Sequence, residues 1–84
     1  MTHTIKLNIE FCDPVESGDK PFEIRLNDRG YQKGDRIKFI PVKGAMAVYT
    51  PHQIELSTYE ITYVINGYGL KENYVVFGIK KVNV

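Results

Sequence analysis

The chain has 84 residues, enough for one domain with a single modest core. Its 43% hydrophobic and 25% charged content is that of a folded globular chain, and a net charge of +1 excludes a polyanion-coating surface while leaving room for a local basic strip. No apolar run is long enough to cross a bilayer and the first residues carry no signal-peptide pattern, so a cytoplasmic protein with no membrane partner is expected. Cys12 is the only cysteine, which excludes an internal disulfide and fits that compartment.

Six Tyr and four Phe, with many Val and Ile, favour strands. From Thr4 to Phe11, Ile5, Leu7, Ile9 and Phe11 alternate with polar residues, which predicts a strand whose far end can bend early into a helix. Asp13-Pro14 reads as a helix start with Glu16 in the first turn and Gly18 as terminator, barely one turn long. Phe22 to Asn27 alternates cleanly: Phe22, Ile24 and Leu26 against Glu23, Arg25 and Asn27. This is the pattern of a half-buried strand, with an acid, a guanidinium and an amide on one face at a spacing of about 6–7 Å.

Turns at Asp28–Gly30 and Tyr31–Asp35 lead to a strand from Arg36 to Pro41, with Pro41 at an edge or exit. A short strand is expected around Ala47–Tyr49 within a connection punctuated by Gly44 and Pro51. Between Gln53 and Asn66 the apolar phase shifts from even positions (Ile54, Leu56) to odd ones (Tyr59, Ile61, Tyr63, Ile65). One strand cannot keep both sets on one face, so a β-bulge is predicted near Ser57-Thr58. Asn66–Asn73 is a loop, and Tyr74–Ile79 is apolar enough for a central strand buried on both sides. Together these elements predict a mainly β, α+β domain over residues 1–84: a small mixed β-barrel of five or six strands with one short helix.

The stretch from Gly18 to Arg25, Gly18-x-Lys20-x-x-Glu23-x-Arg25, resembles the G-x-K-x-x-E-x-R signature of ASCH domains, a branch of the PUA-like superfamily. Chance occurrence of four such fixed positions in a chain of this length is about one in a thousand at average residue usage. The likeness continues through Phe22–Arg29, Gly34-Asp35, Ile61–Ile65 and Gly69–Lys71, and departs at Pro14. It is similar over nearly its whole length to small ASCH-like proteins of bacteria and their phages. The resemblance implies a PUA-like barrel whose cleft is lined by the signature residues and takes RNA or a modified nucleoside. One branch removes the acetyl group of acetylated cytidine with a Lys, a Thr and a Glu. Lys20 matches that lysine, but Glu23 stands where the threonine would be and cannot be the same hydroxyl nucleophile.

Lys20, Glu23 and Arg25 have two readings: ion pairs that hold a strand in register, or a polar cleft that meets phosphate, carbonyl and exocyclic amine groups. Asn27, Arg29 and Tyr68 are added as ligand-binding candidates, Tyr68 because it lies between two glycines in a loop. Arg29, Lys33, Arg36, Lys38 and Lys43 form a basic stretch interleaved with Tyr31 and Phe39, as single-stranded nucleic acid requires, with Lys33, Arg36 and Lys38 facing phosphates. Tyr59, Tyr63 and Tyr74 are further stacking candidates. A thiol at Cys12 just ahead of a helix start could be activated, although no base accompanies it. His3 and His52 lack ligand spacing, so neither metal nor cofactor is expected. The leading expectation is a small RNA- or nucleotide-binding module. The alternatives are an amidohydrolase on an acetylated nucleoside using Lys20 and Glu23, and a protein-interaction module joined by strand edges into a homodimer.

Overall fold

Alternation carries the first strand only as far as Asn8. In the computed structural model, which describes residues 1–82, β1 spans Thr2–Asn8 with His3, Ile5 and Leu7 buried. The helix α1 then runs Ile9–Ser17, nine residues in place of the single turn expected from Asp13. Ile9, Cys12 and Val15 recur at intervals of three and bring one helical face onto the core. Pro14 lies inside this helix. Its missing N–H leaves the Glu10 carbonyl without a helical donor, on a face where Glu10 is exposed and water can supply one. Gly18 ends the helix at φ 90°, donating to the Val15 carbonyl at 3.2 Å.

The sheet comprises β2 (Phe22–Leu26), β3 (Arg36–Lys43), β4 (Val48–Tyr49), β5 (Thr58–Ile65) and β6 (Tyr74–Val82) together with β1. Its order is β1-β3-β5-β6-β2, with β4 added to the end of β3. β1 and β3 are parallel and every other pair is antiparallel, which makes the sheet mixed. Phe39, Tyr59, Ile61, Phe77 and Ile37 fill the centre with Ile5 and Leu7, so the protein is mainly β with one helix, of the α+β class.

The expected closure into a barrel is incomplete. No ladder joins β1 to β2 among the described residues, yet Arg25 Nη2 on β2 donates to the Lys6 carbonyl on β1 at 2.6 Å. The two ends of the strand path therefore curl to within the reach of one arginine, leaving an open seam.

Three other expectations change. The phase shift before β5 comes from a 3-10 helix at Gln53–Leu56, capped reciprocally by His52 and Glu55, and not from a bulge at Ser57-Thr58. The bulge is real but lies at Thr62: Ile61 faces Ile79 and Tyr63 faces Gly78. Beyond it, Val64 packs against the core while Tyr63 and Ile65 turn outward. A Cβ on Gly78 would come 2.5 Å from Thr62 Oγ1, so the glycine makes room for the extra residue. Finally, β6 is central but fully buried on one face only, that of Val75, Phe77 and Ile79. Pro41 sits inside β3 rather than at its end, which is tolerable because β3 has parted from β5 after Ile37 and pairs with β4 only from Val42, so the N–H that proline lacks is needed by no ladder there.

Candidate functional site

The half-buried strand Phe22–Leu26 is present, but its buried face is the charged one. Glu23 is 3% exposed, while Ile24 and Leu26 are 53% and 47% exposed. The inversion follows from position. β2 is an end strand paired only with β6, and its inward face looks into the seam, where Lys20 and Arg25 pair with the Glu23 carboxylate.

There the Glu23 carboxylate is held from both sides. Arg25 donates to Oε1 through Nε at 2.9 Å and Nη2 at 2.6 Å, and the Lys20 ammonium donates to Oε2. Lys20 also donates to the Phe22 carbonyl at 3.0 Å. Its Nζ lies 4.9 Å from the centroid of the Phe11 ring and 5.1 Å from that of Phe22, so two aromatic faces flank the cation. Gly18 and Pro21 bring this lysine in: the chain reverses at the helix end, with the Lys20 N–H bonded to the Pro14 carbonyl at 3.0 Å.

Two cations around one carboxylate leave a net positive charge at a site only partly screened by water, the side chains of Lys20 and Arg25 being 20% and 24% exposed. Hydrogen-bond capacity is left over as well. Lys20 uses two of its three N–H donors, and both N–H groups of Arg25 Nη1 lack a protein acceptor among the described residues. Lys20, Glu23 and Arg25 line a cleft of about 460 Å³, whose other walls include Lys6 and Leu7 of β1, Phe11 of α1, Phe22 and Ile24 of β2, and Val42 of β3. The cleft thus combines a cationic, donor-rich corner with apolar and aromatic walls, a pairing suited to an anionic or carbonyl-bearing guest with a flat apolar body.

Of the residues singled out in the sequence, the fold gathers Lys20, Glu23 and Arg25 into one cluster. Asn27 is employed in the backbone: its Oδ1 accepts from the Tyr31 N–H at 3.0 Å, fixing the turn after β2. Arg29 is exposed and borders a second hollow of the same seam. Lys33 is exposed in a turn, Arg36 faces Glu60 at 3.6 Å, and Lys38 reaches the Thr58 hydroxyl at 3.5 Å. These three lie away from the Lys20 cluster and border neither hollow.

The aromatics interleaved with them are packed into the core, with Tyr31 also edging the second hollow of the seam. Tyr31 and Phe39 are core residues at 5% and 2% exposure, and burial pushes the Tyr31 phenol up. Tyr59 is core as well. Tyr68 is 93% exposed at φ 54° but lines neither hollow of the seam. Cys12 is mid-helix, not ahead of a helix start, and burial with Asp13 and Glu16 nearby pushes its thiol up to about 11, the opposite of activation. His3 bonds Asp35 through Nε2 at 2.8 Å and His52 bonds Asp13 at 2.7 Å, each tying two segments together.

Lys6, Phe11 and Phe22 line the cleft and were not singled out for it by the sequence. Phe22 had a signal, its place within the signature; a lone lysine on an alternating strand has none.

Fold and site together define a small mixed-sheet domain with an ion-bearing cleft along an open edge seam. The chain belongs to the family described as a domain of unknown function, DUF3850, whose model matches residues 2–79. No curated protein matches the chain. No helix among the described residues is long and apolar enough to cross a membrane.

Proposed function

We propose that this chain is a small RNA- or nucleotide-binding module, akin to the PUA-like ASCH domains whose signature its Gly18–Arg25 stretch resembles, and that the guest enters the β1–β2 cleft. The observation that carries this reading is the buried Glu23 carboxylate bracketed by Lys20 and Arg25, with N–H donors of both cations left over and Phe11 and Phe22 flanking Lys20. Phosphate or base-carbonyl oxygens meet the spare donors, and the base lies along the apolar walls. Glu23 holds the two cations in place and prevents their mutual repulsion from driving them apart.

The same geometry favours binding over hydrolysis. Lys20 donates to Glu23 and to the Phe22 carbonyl, so it presents a donor to the guest and not the lone pair that a nucleophile or base would need. The test is fluorescence anisotropy with a labelled hexauridylate across a salt series. With about two phosphates neutralised, log Kd should rise with log salt at a slope of about 1.4. Arg25→Ala, checked for native circular dichroism, should weaken binding about tenfold, the worth of one charge-assisted contact. Affinity indifferent to both salt and Arg25→Ala overturns the reading.

A further inference from the structure

The seam does not end at Arg25. On the other side of this side chain lies a second hollow of about 620 Å³, bordered by Thr4 and Lys6 of β1, Leu26 of β2, Tyr74 of β6 and the exposed Arg29. Lys6, Ile24 and Arg25 border both hollows, so the two are compartments of one groove and the arginine is the partition between them. That partition is fixed: Nη2 is tied to the Lys6 carbonyl and to Glu23, while Nη1 carries two N–H donors without a protein acceptor among the described residues. Lys6 is exposed on the opposite wall, and its ammonium has no acceptor among the described residues. Along the groove stand four cations, Lys6, Lys20, Arg25 and Arg29, against two carboxylates, Glu23 and Asp28. Each compartment is above the roughly 300 Å³ at which small-molecule sites begin.

We propose that the groove takes a single-stranded oligonucleotide of at least two residues, one base in each compartment, with the linking phosphate between Arg25 Nη1 and Lys6. Phe11 and Phe22 flank the first base and Tyr74 the second. The proposal rests on the nucleotide-binding reading above and extends it: a mononucleotide fills one compartment, whereas a dinucleotide uses both and meets the phosphate clamp in the middle. A duplex does not fit this description, because its bases are stacked and paired and cannot enter separate hollows.

The experiment is calorimetric titration of the full chain with uridine monophosphate, the dinucleotide UpU and its deoxy counterpart dUpdU at one salt concentration. UpU should bind about tenfold or more tightly than the mononucleotide, the worth of one further stacked base. Arg29→Ala, a change on an exposed loop that borders only the second compartment, should weaken UpU about fivefold and the mononucleotide less than twofold. Equal affinity for UpU and the mononucleotide overturns the two-compartment assignment while leaving the nucleotide reading standing, as does an Arg29→Ala loss that is the same for both. Failure of all three probes to bind overturns both. Binding of dUpdU as tight as UpU supports a groove that reads bases and phosphate alone; preference for UpU supports the same groove with a ribose contact.

Discussion

Glu23→Gln is the most informative single change in the protein. Glutamine keeps the shape of the side chain but has one acceptor where the carboxylate has two. Whichever way the amide is turned, its NH2 group faces either the Lys20 ammonium or the Arg25 guanidinium, donor against donor, 3% exposed to solvent. The loss of one charge-assisted hydrogen bond is worth about 1.5–3 kcal/mol. The two cations also lose the charge between them. Because their side chains are 20% and 24% exposed, water offsets much of that second effect, and the total falls at or below the bottom of the roughly 3–5 kcal/mol range for a fully buried pair. A destabilisation of about 2–3 kcal/mol results, which for a domain of this size lowers Tm by about 10–20 °C. Urea unfolding followed by tyrosine fluorescence, with a thermal scan in parallel, measures it. A change under about 0.5 kcal/mol would refute the reasoning, because it would mean that the cluster is a solvated surface pair with no buried anchor.

Three further outcomes follow from the fold. Gly78→Ala should destabilise by about 1 kcal/mol, since a Cβ 2.5 Å from Thr62 Oγ1 drives that β-branched side chain off its rotamer; in a Thr62→Ala background the same change should cost much less, a double-mutant cycle that urea titration reads directly. Cys12, buried and with its thiol pushed up to about 11, should resist Ellman's reagent at pH 8 in the native protein and react at once in 6 M guanidinium. Asp35 has a carboxyl held below its ordinary value of 3.8, chiefly by the hydrogen bond to His3. A depressed carboxylate stabilises the fold above its unfolded pKa, and that contribution is lost as pH falls through the folded value, so Tm should drop below about pH 4 and the drop should shrink in Asp35→Asn.

Much of the sheet was legible because alternation is a direct consequence of strand geometry. Which residues of β2 share a face could be read from Phe22–Leu26, but not which face turns inward. Alternation fixes a relation between neighbours, whereas the inward face is chosen by what lies opposite, and opposite β2 lies an open seam. The helix is hidden in the sequence for a different reason. Ile9 and Phe11 continue the alternation of β1, and Pro14 argues against a helix passing through it, while the competing signal of Ile9, Cys12 and Val15 at every third position is only three residues long. The shift before β5 comes from the 3-10 turn at Gln53–Leu56, while the bulge at Thr62 leaves no mark in the apolar pattern, because Tyr63 and Ile65 keep the odd positions on the outer face. For the site, the local cluster Lys20, Glu23 and Arg25 could be found because its members are within six residues of one another. Lys6 and Val42 could not, since the curl that brings β1 and β3 to β2 is a property of the whole sheet. Phe39 shows the opposite error: beside Lys38 in sequence, it lies on the other face of β3, and here that face is the core, where Tyr31 and Tyr59 are packed as well.

The most direct test of the central claim is a 15N-HSQC titration of the native chain with hexauridylate. Amides of Lys6–Asn8, Lys20 and Phe22–Arg25 should shift together in a saturable manner, tracing the two walls of the seam. Shifts confined to the Asn66–Asn73 loop or the outer face of the sheet, or none at all at millimolar RNA, would contradict the account.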